Sequence, residues 1–119
     1  MPDPEGAVSY LVQYRRPAAD EAAFVAHYLK HHPPILLRLP GLCSLELLTP
    51  IADDRPLDVP GDDQMLICDV SFASQAALNA ALASDVRHEL RRDFQTFPSF
   101  TGPLTHHAMA RESLFRANR

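Results

Sequence analysis

Two side chains in this 119-residue sequence have the right chemistry to move a proton. His32 ends a helical pattern, where the helix dipole favours an imidazolium, and an imidazole titrates near neutral pH. Asp69 interrupts an apolar strand, and an acid enclosed in a cavity becomes a usable general acid or base. The pair predicts proton transfer between two substrate carbons. The alternatives are a histidine that only caps helix carbonyls and an aspartate that pairs with an arginine on a solvated or interface surface.

Further polar side chains are candidates for orienting a substrate. Gln13 and Ser71 lie on strand patterns, and Tyr28 lies on the first helical pattern. His106 and His107 are adjacent on the last strand pattern, and adjacent strand residues point to opposite faces. Only one of the two therefore faces any given cavity, and the sequence leaves open which one.

Metal, thiol and cofactor chemistry have weaker signals. His27 and His31 have the four-residue spacing of a metal pair, but the His-Glu-x-x-His pattern is absent. Cys68 alternates with apolar residues, which favours a small buried hydrophobe over a nucleophile, and Cys43 has less support still. The sequence has no glycine-rich phosphate loop and no dinucleotide fingerprint. We therefore predict no metal and no cofactor.

Composition excludes several classes of protein. The length favours a single domain over 1–119, and the net charge of −4 gives no basic footprint for nucleic acid. No apolar stretch approaches the roughly 20 residues of a membrane span. The acidic start lacks the basic and hydrophobic regions of a signal peptide, and two cysteines are too few for a disulfide scaffold. These features favour a cytoplasmic location.

Period-two alternation and the positions of the 11 prolines outline the secondary structure. Asp20 is a predicted N-cap, and Pro33 and Pro34 predict that the first helix ends at His32. An Asp-, Pro- and Gly-rich segment, 50–64, is predicted to be an exposed loop. The predicted strands are 7–14, 42–49, 65–72 and 104–115, and the later helical patterns are 75–84 and 84–96.

The resulting order, β-α-β-β-α-β, predicts an α+β fold: a ferredoxin-like plait with helices on one face of an antiparallel sheet. In a monomer the other face is left bare, and face-to-face dimerisation would cover it. The strand faces that hold Val12 and Val70 read as core. The opposite set, with Gln13, Asp69 and Ser71, reads as a wetter surface or a cavity.

Four segments of the chain resemble the EthD family of the dimeric α+β barrel superfamily. They are Tyr-Arg-Arg-Pro at 14–17, Tyr-Leu-Lys-His-His-Pro-Pro-Ile at 28–35, Leu-Pro-Gly-Leu at 39–42, and the strand, turn and helix over 69–84. Their order and spacing are more specific than any one of them. Relatives often have Glu-x-Trp-Phe in the third strand where this chain has Asp-Val-Ser-Phe, and the missing indole would enlarge or rehydrate a cavity.

The resemblance implies a homodimer whose barrel encloses a small-molecule pocket, and it places His32 at the family's histidine position. Better-understood relatives in the superfamily are cofactor-free isomerases, cyclases or oxygenases that act on lactones and on aromatic or polyketide compounds. We therefore expect a small cofactor-independent enzyme of a catabolic or secondary-metabolite pathway. The alternatives are a non-catalytic dimeric protein that binds a small molecule, and a barrel filled by its own side chains.

Overall fold

The computed structural model describes residues 6–51, 61, 63–115 and 117. The order of the secondary-structure elements confirms the predicted ferredoxin-like plait, and the second helical region is divided into two helices. Most of the predicted loop over 50–64 lies outside the described residues. The elements are β1 (Val8–Arg15), α1 (Glu21–Leu36), β2 (Leu42–Leu48), β3 (Gln64–Phe72), α2 (Gln75–Leu82), α3 (Val86–Phe94) and β4 (Leu104–Ala110).

The four strands form one antiparallel sheet in the order β2-β3-β1-β4. The first strand of the chain is therefore an interior strand, with the third strand on one side and the last on the other. This arrangement, with helices packed on the sheet, is a ferredoxin-like fold. Among the described residues, no helix combines the length and the apolar character needed to cross a membrane.

Strand alternation gives the sheet two different faces. One face, here called the helix face, carries Tyr14 and Val12 of β1, and Val12 is in register with Cys68 and His106. Its residues form the buried core together with Phe24 of α1 and residues of α2. The opposite face, here called the open face, carries the residues in between, and none of the described helices packs on it.

The beginning of α1 follows the sequence prediction. The carboxylate of Asp20 accepts a hydrogen bond from the backbone N–H of Ala23 at 3.0 Å, which satisfies one of the free donors of the first turn. Glu21 supplies a negative charge in that turn, where it complements the helix dipole.

The predicted end of α1 at His32 is wrong. The helix continues to Leu36, with Pro33 and Pro34 inside it. Proline has a φ compatible with a helix, and its cost of about 3 kcal/mol comes from the lost N–H bond and from the ring's contact with an earlier carbonyl. Burial of His32 and Leu36 on the same side as the rest of the core offsets that cost, so packing outweighs local preference.

The last strand is shorter than predicted because its partner ends. Ala110 is in register with Val8, the first residue of β1, and the regular pairing of the two strands ends there. The N–H of Arg111 still donates to the carbonyl of Ala7 at 2.9 Å. Pairing with β1 therefore determines which residues of the last segment form a strand.

Gly102 allows the chain to cross the end of β1 closely before β4 begins. A Cβ atom at this position would lie 1.7 Å from the carbonyl oxygen of Arg15. The N–H of Gly102 donates to the carbonyl of Pro17 at 3.1 Å. Only glycine fits this crossing, which sets where β4 starts and therefore which of its residues face the helices.

Candidate functional site

A cavity of about 490 Å³ lies between the helix face of the sheet and the helices. Its size is in the range of small-molecule sites, and its lining is mostly apolar with a few polar groups, as such sites usually are. The lining residues are Tyr10, Val12, Tyr14, Tyr28, His32, Leu36, Leu39, Cys68, Val70, Leu82, Arg87, Leu90, Arg91, Phe94, Gln95, Leu104 and His106.

His32 lies on the buried side of α1, and its ring is held by an acid from another helix. Its Nδ1 is 2.8 Å from Oδ2 of Asp93 on α3, and the two side chains are only 9% and 12% exposed. Because a carboxylate can only accept, we assign the proton of this hydrogen bond to Nδ1. The Nε2 atom of a neutral His32 is then left as a proton acceptor at the cavity.

Burial lowers the pKa of His32 below its usual 6.5, and the hydrogen bond and negative charge of Asp93 oppose that shift only in part. The imidazole is therefore neutral at pH 7. The arrangement provides a base whose protonated form is stabilised by a fixed carboxylate, which is what general base catalysis needs.

The hydroxyl of Tyr28 is buried at the cavity, where it has no oxygen or nitrogen hydrogen-bond partner among the described residues and only a weak interaction with the Cys68 thiol. It lies beside the thiol of Cys68, and burial is the main reason that the pKa of Tyr28 is raised far above its usual value. The phenol is therefore a protonated donor at all physiological pH values. An unsatisfied buried hydroxyl is costly, so a ligand oxygen that accepted from it would relieve that cost.

Burial also raises the pKa of the Cys68 thiol, although Tyr28 acts in the opposite direction. The thiol is therefore protonated at neutral pH, whereas a nucleophilic cysteine needs the thiolate. Cys68 contributes apolar surface to the cavity.

Of the two adjacent histidines on β4, His106 faces the cavity. The Tyr10 hydroxyl and Nδ1 of His106 share a hydrogen bond of 2.8 Å. We assign the phenol as donor, because a neutral imidazole nitrogen is the better acceptor, so Nε2 of His106 carries the proton. Burial, and then the charge of Arg87, lower the pKa of His106, which keeps its ring neutral. His106 is therefore a second neutral imidazole, exposed at the edge of the cavity, with a proton on Nε2 where His32 has a proton-accepting lone pair.

Four predicted site residues lie on the open face instead. Asp69, Gln13, Ser71 and His107 belong to the strand positions that alternate with the cavity residues, and none of them lines the cavity. The predicted pairing of Asp69 with His32 is not formed. The sheet itself separates the two groups.

Three of these polar groups have a hydrogen-bond partner on the open face, although Oδ1 of Asp69 is buried without one among the described residues. Asp69 accepts from Arg111 at 2.8 Å, the arrangement that the sequence offered as its alternative. The amide oxygen of Gln13 accepts from Gln64 at 2.8 Å. The hydroxyl of Ser71 contacts that of Ser44 on β2. The predicted roles of these residues in a site remain predictions.

The histidines of α1 that have metal-pair spacing lie close together. The rings of His27 and His31 have centroids 4.4 Å apart, and Nε2 of His27 is 3.1 Å from the Thr96 hydroxyl. Within the described ranges, no group of three histidine, cysteine or acidic side chains has the geometry to hold a metal ion.

Sequence reasoning missed Asp93 and Tyr10, which orient the two cavity histidines. Asp93 is 61 residues from His32 along the chain, and Tyr10 is 96 residues from His106. No local spacing can reveal such pairs. Arg87 was missed as well, although a detectable signal exists: with Leu90, Arg91 and Phe94 it has the spacing of one helix face.

No protein-family model and no curated protein sequence matches the chain. Solved structures do match. An EthD family protein from Bacillus halodurans is 20% identical with a TM-score of 0.71, covering 89% of this chain and 99% of its own. The hydroxynitrile lyase of Passiflora edulis is 16% identical with a TM-score of 0.67, over 95% and 100%. SnoaB, a cofactor-independent oxygenase from Streptomyces nogalater, is 18% identical with a TM-score of 0.57, over 92% and 97%. The chain therefore has the ferredoxin-like α+β fold of an EthD family protein.

Proposed function

We propose that the protein is a small enzyme that uses His32 as a general base on an organic molecule in the cavity, without a cofactor. The observation that carries the proposal is the His32–Asp93 pair, with an Nδ1 to Oδ2 distance of 2.8 Å, in a largely apolar cavity of about 490 Å³. A fixed carboxylate that stabilises the imidazolium formed after proton transfer serves catalysis directly.

The residues suggest a sequence of proton movements. Nε2 of His32 removes a proton from a carbon or oxygen of the substrate, and Asp93 stabilises the resulting imidazolium. The hydroxyl of Tyr28 donates to the oxygen on which negative charge develops. Return of the proton to a different carbon completes an isomerisation. In an elimination, the C–O bond of a neighbouring oxygen breaks as the C=C bond forms, and the leaving oxygen takes the proton. In a cyclisation, the carbanion bonds to a carbonyl carbon of the same molecule, and the carbonyl oxygen, which receives the electron pair of the C=O π bond, takes the proton. Lactones and aromatic or polyketide-like compounds have protons acidic enough for these steps.

The structural neighbours support this class of chemistry without identifying the reaction. They include a cofactor-independent oxygenase and a hydroxynitrile lyase, two different reactions on one fold. Because one fold hosts many activities, the proposal depends on the residues of this cavity. The EthD family protein among the neighbours, together with the sequence segments that resemble that family, supports assigning this chain to the EthD family.

We also propose that the protein is a homodimer that buries the open face of each sheet. Met109 and Leu48 belong to this face and are 51% and 53% exposed in the single chain, and Leu11 lies at its centre. Covering such apolar groups favours association. Light scattering of the wild type is expected to give twice the chain mass, and Leu11→Lys is expected to give a folded monomer. A wild-type monomer at micromolar concentration would contradict this part of the proposal.

A cytoplasmic location is part of the same proposal. Cys43 is exposed and Cys68 is buried, and both are free thiols. A reducing compartment keeps exposed cysteines as free thiols. Fractionation of cells that express the protein, with detection by antibody, tests the location.

The main experiment compares two neighbouring histidines. Wild type, His32→Gln and His31→Gln are incubated with a panel of lactones and activated aromatic ketones, and products are detected by mass spectrometry. His31 is exposed and points away from the cavity side of α1, so His31→Gln is expected to convert substrate like the wild type. His32→Gln is expected to lose conversion while it keeps a melting temperature close to the wild type. Conversion by His32→Gln at the wild-type rate would overturn the proposal.

The unpartnered hydroxyl of Tyr28 is the observation that favours a second candidate function, a protein that binds a small molecule without changing it. Binding needs a donor at this position but needs no base. A panel compound that raises the melting temperature of the wild type and of His32→Gln equally, and that is recovered unchanged from both, would support this function over catalysis.

A further inference from the structure

The side of α3 that faces the cavity carries two arginines beside two apolar residues. Arg87, Leu90, Arg91 and Phe94 all line the cavity, and their spacing places them on one helix face. Leu90 and Phe94 offer a surface for the body of a ligand. Arg87 and Arg91, one turn apart, place two guanidinium groups side by side.

Neither of these arginines has a carboxylate partner among the described residues. Two like charges four positions apart destabilise a helix by a few tenths of a kcal/mol. A carboxylate bound to either arginine would relieve that repulsion. The acids of α3 are bound elsewhere: Glu89 binds Arg38 at 2.8 and 2.9 Å, and Asp93 binds His32. Arg87 makes one long hydrogen bond of 3.4 Å, to a backbone carbonyl.

Three arginines away from the cavity are paired with carboxylates: Arg16 binds Glu21, Arg38 binds Glu89, and Arg111 binds an aspartate, each within hydrogen-bond distance. Among the described residues Arg92, which is exposed and outside the cavity, has no carboxylate within ion-pair distance. What distinguishes Arg87 and Arg91 is that they are without a carboxylate and also line an apolar cavity.

Among the described residues, the cavity lining contains both of these positive charges and no acidic side chain. The histidine rings that line it are neutral, and Asp93 stands behind one of them as its hydrogen-bond partner. A concave site with apolar walls concentrates the field of the charges at its edge, which attracts a small anion. Guanidinium groups bind carboxylates and phosphates in a two-pronged geometry, and the single charge of a carboxylate costs less to bring between apolar walls than the larger charge of a phosphate.

We propose that the ligand of this cavity is a small apolar carboxylate whose charged group binds Arg87 and Arg91. Its hydrocarbon part packs against Leu90 and Phe94, and its far end reaches His32 and Tyr28. The placement of the far end at His32 and Tyr28 rests on the proposed function, since it puts the reacting atoms at the base. Binding of the charged group by the two arginines is independent of catalysis.

The test uses binding of matched probes that differ only in charge. Benzoate and cinnamate are compared with benzamide and cinnamamide by calorimetric titration of the full-length wild type. Each carboxylate is expected to bind at least about 10-fold more tightly than its amide, because a charged hydrogen bond contributes about 1.5–3 kcal/mol. The preference is expected to shrink at high salt.

Three single variants assign the preference to residues. Arg87→Gln and Arg91→Gln are each expected to weaken carboxylate binding about 10-fold and to leave amide binding unchanged. Arg92→Gln is the matched control, since Arg92 is exposed and does not line the cavity. Circular dichroism and melting temperature confirm that each variant is folded. If no carboxylate binds more tightly than its amide, or if the preference survives in both cavity variants, the proposal is wrong.

His32→Gln separates this proposal from the proposed function. The variant is expected to keep the carboxylate preference, because its change lies away from the arginines. Charge-selective binding without conversion of any compound would leave this proposal standing and count against the enzyme. Conversion that requires His32, with no preference for carboxylates, would do the reverse.

Discussion

The two faces of the sheet use the same strands for opposite purposes. On the helix face, His106 shares a hydrogen bond with a tyrosine at the edge of the cavity. His32 of α1 lines the same cavity, and its ring is hydrogen-bonded to Asp93. On the open face, Asp69 is neutralised by Arg111, and Gln13 is held by a neighbouring amide. The ion pair of Asp69 uses one carboxylate oxygen, and the other, Oδ1, is buried without a hydrogen-bond partner among the described residues. The cavity differs because helices enclose it, with His32 and Tyr28 on its walls. Enclosure, more than residue type, distinguishes the candidate site.

The largest expected difference between the faces concerns their two aspartates. Asp93→Asn keeps the shape of the side chain but removes the charge that stabilises protonated His32, so the rate of conversion is expected to fall by about 100-fold or more. Asp69→Asn, on the open face, is expected to change it less than 2-fold, roughly the scatter of such assays. Steady-state kinetics with the compound that the wild type converts makes the comparison. Equal losses in both variants would show that the two faces are not functionally distinct.

The next largest effect concerns stability. Leu66 is fully buried on the helix face, and Leu66→Ala is expected to lower the free energy of unfolding by about 2–5 kcal/mol because it leaves a cavity in the core. Leu48 lies on the open face and is 53% exposed, and Leu48→Ala is expected to change that free energy by about 0.5 kcal/mol or less. Urea unfolding below the concentration at which chains associate measures both. A large loss in Leu48→Ala under those conditions would contradict the comparison.

A smaller difference is expected between two tyrosines of the cavity. Tyr28→Phe removes a buried hydroxyl whose only described interaction is a weak one with the Cys68 thiol, so the free energy of unfolding is expected to stay the same or rise by up to about 1 kcal/mol. Tyr10→Phe removes the hydrogen bond to His106 and is expected to lower it by about 0.5–1 kcal/mol. Urea unfolding of both variants gives the sign. Destabilisation by Tyr28→Phe would indicate that its hydroxyl is satisfied in solution.

The smallest effect is the dependence of stability on pH. The pKa of His32 and that of His106 are both lowered in the folded protein, chiefly by burial. Below pH 6.5 the unfolded chain therefore binds protons that the folded chain does not, so stability falls with falling pH until the folded pKa values are passed. Melting temperatures measured between pH 8 and pH 5 are expected to show a decline that becomes shallower in His32→Gln. An unchanged decline in that variant would exclude His32 as its source.

The sequence predicted most of the fold because its signals are local. Alternation in β1 and β3 assigned Val12 and Asp69 to opposite faces, and the Asp20 cap marked the start of α1. The same alternation also predicts that Asp69 is separated from His32, because α1 packs on the core face and Asp69 lies on the other face. Asp69 and His32 were expected to share a cavity between the sheet and the first helix, and Asp69 instead lies on the opposite face of the sheet.

The parts of the site that sequence reasoning missed depend on long-range packing. Asp93 meets His32 only because α3 packs beside α1, and no spacing in the chain encodes that contact. The local backbone preference of the prolines after His32 predicts the end of the helix, but burial of Leu36 outweighs that preference. Local rules fail here because tertiary contacts contribute more free energy than backbone preference does.

The position of β1 between β3 and β4 has a consequence for how the protein is made. β1 leaves the ribosome before β4 and cannot complete its pairing until β4 has emerged, and His106 meets Tyr10 across 96 residues. Contacts of such separation form slowly, so the cavity is among the last features to be completed during folding. Ligand binding would accordingly report on chains that have finished folding, and a nascent chain that lacks β4 would expose one edge of β1 to any other strand in its surroundings.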